Sequence, residues 1–214
     1  MKGLLKNNFL AVCSNIRAFS ALMIALGILI AAVISRSLLI GNALLSIAGF
    51  SIIAVSGLKK ESASKWGQYK LTMPVNRASI VKSYFICQLI WLAVGAVFSG
   101  AVIGLSWSLH GCPFDNEIDT LSVFAVGIST NLFTGAFFFP LFYLGGEERS
   151  EVSLAGSLLC GIALILGIVS AVNFCLTPGL VTVLLGDAIL VVCALFLFAL
   201  SYPLTVYIYR GKEY

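Results

Sequence analysis

Six runs of about 20 mostly apolar residues fill this chain, each long enough to cross the hydrocarbon of a bilayer as a helix. They are roughly Ala18 to Ile34, Leu38 to Leu58, Tyr84 to Ser108, Leu121 to Leu144, Leu154 to Phe174 and Val181 to Tyr207. Of the 214 residues 60% are hydrophobic and only 10% charged, with a mean hydropathy of +1.05. A soluble domain carries far more charge than that. The expectation is an all-α, polytopic integral membrane protein, one transmembrane domain over residues 1–214. Only Ser35, Arg36 and Ser37 separate the first two runs, so these should form a tight helical hairpin.

One long polar stretch interrupts the apolar pattern, Lys59 to Lys82, KKESASKWGQYKLTMPVNRASIVK. It holds Lys59, Lys60, Lys65, Lys70, Arg77 and Lys82, six of the thirteen basic residues, against the single acid Glu61. Basic residues next to spans resist translocation, which puts this loop in the cytoplasm. With six spans, Lys2, Lys6, Arg17, the six loop cations, Arg149, Arg210 and Lys212 then fall inside, and only Arg36 outside. Both termini are expected to be cytoplasmic. The acids Asp115, Glu117 and Asp119 fall outside, which the rule permits because acids contribute little to orientation. The net charge of +4 has this topological explanation, and nucleic acid is not inferred from it.

The N-terminus lacks an early apolar core, since Lys2, Lys6, Asn7, Asn8, Asn15 and Arg17 punctuate it, so no cleaved leader is expected. Leu5, Phe9, Val12 and Ile16 form one apolar helical stripe, with Lys6, Asn7, Ser14 and Arg17 opposite. Residues 1–17 are therefore expected to form a helix lying in the membrane interface, its apolar face in the acyl boundary, the plainer alternative being an amphipathic extension of the first span without a role of its own.

Within the spans, four features stand out. Asp187 is the only acid, a turn or two into the last span, where a structural, interfacially hydrated role is favoured over a proton or cation relay. Ala96, Gly100, Gly104 and Ser108 recur every four positions, as do Ala163, Gly167 and Ala171; both ridges permit close helix approach, within one subunit or between two. Phe137, Phe138, Phe139 and Phe142 cluster around Pro140, which should kink its helix, as should Pro203 in the last span. Trp66, Tyr69, Tyr84, Tyr143, Tyr202, Tyr207 and Tyr209 fall toward the inner side, as an interfacial aromatic belt. The six cysteines form no CxxC pair and suggest no zinc or redox site. Cys112 and Cys175 both fall outside, where a disulfide is conceivable but two independent packing residues are favoured.

The polar loop has its own pattern. From Ser62 to Met73, Ala63, Trp66, Tyr69 and Met73 share one helical face and Lys65, Gln68 and Thr72 another; Pro74 stops that helix and Asn76 is placed to cap the next. A short amphipathic helix beside the membrane is either a docking element for a cytoplasmic partner or an ordinary basic loop with an interfacial Trp.

The residues Glu61, Lys65, Trp66, Tyr69, Leu71, Thr72, Pro74, Val75 and Arg77 resemble the loop signature of small six-span ABC-2 type permeases, a group that includes bacterial peptide exporters. The opening MKGLLKNNF is also similar to that group's start, whereas KSYF departs from it by lacking a basic residue directly before the Tyr. The resemblance implies a permease working with a separate ABC ATPase, whose cleft would receive the loop as a coupling helix through Glu61, Lys65, Trp66, Gln68, Tyr69 and Arg77. It also implies two permease subunits, identical or related, in a bacterial plasma membrane. The chain has no GxxxxGK[ST] phosphate loop, so no enzyme activity and no cofactor or metal of its own is expected, ATP and Mg belonging to the partner. The loop Gly145 to Ser153, with Glu147, Glu148, Arg149 and Glu151, is a secondary contact or simply solvated charge. The cargo suggested by the apolar, aromatic spans is an amphipathic peptide or lipid-like molecule.

Two other classes stay open. A membrane enzyme would need clustered catalytic groups, but the lone His110 and the Asp115, Glu117, Asp119 trio offer at most a weak cation site. A scaffold or sensor shares every feature except ATPase coupling.

Overall fold

The computed structural model describes residues 2–32, 36–63, 76–111, 114, 117–146, 149–176 and 179–211. They form α1 (Lys2–Ala32), α2 (Arg36–Ala63), α3 (Arg77–His110), α4 (Glu117–Gly145), α5 (Ser150–Cys175) and α6 (Leu180–Gly211), with no strand among them. The polytopic all-helical expectation holds. Helices α2 to α6 each contain a stretch long and apolar enough to cross a membrane. In α1 the corresponding stretch, Ile16–Ile30, is shorter than the run read from the sequence.

Two polar contacts fix the directions of the helices. Arg36, at the start of α2, donates to Asp119 near the start of α4, Nη2 to Oδ2 at 2.6 Å. Arg77, at the start of α3, reaches the last carbonyls of α6. Successive helices thus run antiparallel, and the bundle has an Arg36 end and an Arg77 end. Helix α4 lies at the centre, with 61% of its apolar window buried against 17% for α5 and for α6. It packs most extensively on α6 and α5, while α2 pairs with α3.

The aromatic cluster of α4 is the heart of the larger core. Phe138, Phe139 and Phe142 are buried, and Phe139 stacks on Phe85 of α3 at 4.4 Å. Phe85 in turn meets Phe198 of α6 at 4.9 Å. Such ring pairs add to plain area burial because edge and face carry opposite partial charge. The belt reading needs correction for two tyrosines: Tyr143 and Tyr209 are buried against each other at 4.9 Å, whereas Tyr207 is exposed.

Pro140 and Pro203 both sit inside their helices without ending them. Proline has no N–H, so Pro140 leaves the carbonyl four residues back without its helical donor. That carbonyl belongs to Ala136, and the Ser201 hydroxyl of α6 donates to it at 2.7 Å. The proline thereby becomes a site of cross-helix bonding, which is how broken backbone is tolerated in lipid.

Helix α1 differs from the expectation of a separate interfacial element. Its N-terminal part is continuous with the apolar part, and at 1.5 Å per residue its 31 residues extend about 46 Å. The stripe assigned to the acyl boundary faces protein instead: Val12 and Ile16 are buried, and Phe9 stacks on Trp91 of α3 at 5.0 Å. The side chain of Leu5 lies outside the described residues.

Removing the Ser201 hydroxyl should leave the Ala136 carbonyl unpaired in a buried site. Ser201→Ala is expected to lower unfolding stability in mild detergent by about 1–3 kcal/mol, with Ser201→Thr largely retaining it. An unchanged unfolding midpoint for Ser201→Ala would show that the carbonyl is satisfied some other way.

Candidate functional site

The polar loop leaves the bundle between α2 and α3. Helix α2 continues past the expected end at Leu58 to Ala63, so Lys59, Lys60 and Glu61 are still helical. The side chain of Glu61, and Lys65, Trp66, Gln68, Tyr69 and Pro74 entirely, lie outside the described residues. The chain re-enters at Asn76, whose side chain accepts from the Ala78 N–H at 3.2 Å as the N-cap of α3, as the sequence predicts. Capping satisfies one of the donors that a helix start leaves free.

Arg77 is the first helical residue after the loop, and its guanidinium turns to α6. Nη1 donates to the carbonyls of Tyr209 at 3.3 Å and Arg210 at 3.1 Å. The guanidinium carbon lies 5.9 Å from the Tyr209 ring centroid, a cation–π distance. The last carbonyls of a helix are its negative pole, so a fixed cation there is favourable. Tyr202 of α6 reinforces the junction by donating to the Ala78 carbonyl at 3.4 Å. The end of the loop is therefore fastened to the end of α6.

A second polar centre, not anticipated from the sequence, lies midway along the bundle. Asn131 of α4 is buried, and its Oδ1 accepts from Ser51 of α2 at 2.7 Å and from Gln88 Nε2 of α3 at 2.9 Å. Gln88 Nε2 also donates to the Asn131 carbonyl at 3.1 Å, and Asn131 Nδ2 donates to the Ile47 carbonyl of α2 at 3.1 Å. One side-chain amide thus ties three helices. A Cβ on Gly135 would stand 2.3 Å from the Gln88 amide, so α4 makes room for that amide with a glycine. Beside the network is a cavity of about 10 Å³, space for at most one water, bordered by Ser51, Gln88, Thr130, Thr134 and Leu154. The legible signal was an Asn and a Gln in the middle of apolar runs.

The other sequence candidates resolve differently. Asp187 sits two turns into α6 and accepts from Ser122 of α4 at 2.5 Å, a structural partner in keeping with the favoured reading. Gly104 and Gly167 have nothing near the position of a Cβ, and Gly100 only the edge of Phe124 at 3.8 Å, so inside the chain these ridges are not where helices meet closely. That role falls to Gly95, where a Cβ would stand 2.8 Å from the Ser46 carbonyl of α2. Local spacing could not tell these glycines apart, because every face of such a helix is apolar. Cys175 is an exposed free thiol, and Cys112, Asp115, Glu147 and Glu148 lie outside the described residues. Arg149 is exposed, and Gly146, with φ 76°, closes α4 through its N–H to the Phe142 carbonyl at 3.1 Å.

Asn131→Leu keeps the volume of the side chain but strands the Ser51 and Gln88 donors. It is expected to cost about 2 kcal/mol, the scale of a few interhelical hydrogen bonds in a bilayer, read as a lower denaturation midpoint in detergent.

A family model described as ABC-2 family transporter protein matches residues 3–210. No curated protein and no solved structure matches the chain.

Proposed function

This chain belongs to the ABC-2 transporter family, and we propose that it is the membrane-spanning permease of an exporter in which a separate ABC ATPase drives transport through the loop between α2 and α3. The observation that carries the coupling role is the Arg77 junction. The loop enters from the helical extension of α2 and leaves into a guanidinium clamp on the end of α6. A displacement of the loop by its partner is therefore delivered to both helices.

In this reading the partner supplies ATP and Mg chemistry, and the chain's own residues bind and transmit. Trp66 anchors the loop in the ATPase, since a large aromatic in a pocket often dominates an interface, with Glu61, Lys65, Gln68 and Tyr69 around it. Arg77 has a different task from these five. Its Nη1 donates to α6 carbonyls, so besides any contact with the partner it fastens the loop's exit. Two permease subunits, identical or related, enclose the pathway. The Arg77 end faces the bacterial cytoplasm with both termini, following the excess of basic residues there. The cargo is an amphipathic peptide or lipid-like molecule, exported as a product or removed from the membrane as a toxin.

The test is co-purification from the native host in mild detergent, with partners identified by mass spectrometry. Wild type is expected to bring down an ATPase carrying a phosphate loop. Trp66→Ala should weaken that capture about 30-fold, the ratio of a ~2 kcal/mol anchor. If wild type comes down with no ATPase, a scaffold or sensor role replaces this reading.

Arg77→Ala separates binding from transmission. It should hold ATPase capture within about twofold while cargo-stimulated ATP turnover falls about tenfold, and Arg77→Lys should restore part of it, since an ammonium can also donate to two carbonyls but lacks the guanidinium plane that lies near the Tyr209 ring. Loss of capture in Arg77→Ala equal to that in Trp66→Ala would place Arg77 in the interface itself.

A further inference from the structure

We propose that α4 and α6 bend together at one level of the bundle, a paired proline hinge about which their inner ends swing as one body while their outer ends stay in place. The proposal rests on the permease reading for what drives the bend. It is carried by the register in which the two proline-bearing helices lie.

Successive helices alternate in direction, so α4 and α6 run parallel. Three contacts give their register: Ser122 with Asp187 toward the outer end, Ala136 with Ser201 in the middle, and Tyr143 with Tyr209 toward the inner end. The partners are 65 residues apart in the first two pairs and 66 in the third, so one register holds over this whole stretch. Position 203 of α6 therefore comes level with position 138 of α4. Pro203 and Pro140, each inside its helix, stand only two residues apart in height, about 3 Å.

Both backbones are weakened at that level. Pro140 withholds the helical donor from the Ala136 carbonyl and Pro203 from that of Ala199, and sharp bends in helices arise at such sites. Threonine hydroxyls nearby turn back on their own helices, each donating at 2.7 Å to the carbonyl four residues earlier: Thr130 to Val126 and Thr134 to Thr130 in α4, Thr205 to Ser201 in α6. Back-bonding of this kind also loosens and bends a helix.

Ties on either side of the soft level make the two helices one unit. On the outer side Ser122 donates to Asp187, and on the inner side the Tyr143 and Tyr209 rings pack at 4.9 Å. At the hinge itself Ser201 donates to the Ala136 carbonyl from the neighbouring helix, so that carbonyl stays paired without a donor from its own. Arg77 adds the start of α3 to the inner body through the Tyr209 and Arg210 carbonyls. A displacement of the loop's exit is thereby converted into a swing of the inner ends of α4 and α6 about Pro140 and Pro203.

Pulsed EPR distances read the swing directly. The complex with its ATPase is placed in nanodiscs with the native cysteines replaced and labelled subunits diluted among unlabelled ones. Exposed positions take the labels: Leu144 and Tyr207 at the inner ends of α4 and α6, each paired with the outer references Leu38 of α2 and Phe174 of α5. The inner sites lie about 10 Å past the hinge, where a bend of about 20° displaces them by about 3 Å. Between the nucleotide-free complex and the complex trapped with ATP and vanadate, both inner sites are expected to shift by about 3 Å from at least one reference, with Leu38 to Phe174 unchanged. A shift of one inner site alone, or of neither while the complex turns over ATP, overturns the hinge and leaves the permease reading standing.

Variants give a second measurement. Pro140→Ala and Pro203→Ala should keep or raise the unfolding temperature, alanine being the better helix former, while each slows ATP turnover by the complex about tenfold. Pro140→Gly, which keeps the turn soft, should retain most of the turnover. In a paired hinge the double alanine variant is no slower than the slower single one, whereas independent prolines would multiply to about a hundredfold. Multiplied losses, or full turnover in both single variants, overturn the proposal. If the wild-type complex hydrolyses no ATP, the permease reading fails and the hinge with it.

Discussion

The side-chain amide of Asn131 is the point on which the arrangement of this bundle depends. Apolar surface does little to choose partners for a helix in lipid, because lipid tails are as apolar as leucine. Direction comes from groups that cannot be left bare. Asn131 binds Ser51, Gln88 and the Ile47 carbonyl, and so sets the depth of α2 and α3 relative to α4. Once that register is set, Gly95 lies on the α2 backbone and Gly135 under the Gln88 amide, two of the places where a methyl group does not fit unless a neighbour shifts. The Ser201 bond to Ala136 applies the same rule to α6, with Pro140 creating the vacancy it fills.

Around this centre the chain divides its labour by end. At the Arg77 end, aromatic packing is dense and the polar contacts involve helix termini: a guanidinium on the last carbonyls of α6, and a tyrosine hydroxyl on the first turn of α3. At the Arg36 end the ties are partly exposed side-chain contacts, Arg36 with Asp119 and Ser122 with Asp187. Contacts of that kind exchange readily with water. The two ends are thus held by different kinds of contact.

The notion of an interfacial N-terminal helix illustrates how a correct periodicity can mislead. Phe9, Val12 and Ile16 do form one stripe, yet it packs on Trp91 and its neighbours and not on lipid. An amphipathic stripe says that one face leaves water. Whether protein or acyl chain receives it depends on what the rest of the chain places alongside. The same holds for the tyrosines, where a ring near a helix end is exposed at Tyr207 but packs into the core at Tyr143 and Tyr209.

The amino-acid sequence by itself determined the apolar runs and so the all-helical membrane class, the Asn76 cap and the family signature in the loop. Each of these is local, set by neighbours along the chain through length, hydropathy or backbone geometry. Tertiary structure alone decided which faces meet: that Gly95 and not Gly104 touches α2, that Arg77 turns to α6, and that Asn131 gathers three helices. In a helix apolar on every side, periodicity carries no direction, and only the requirement to pair buried polar groups across helices fixes one rotation and one register.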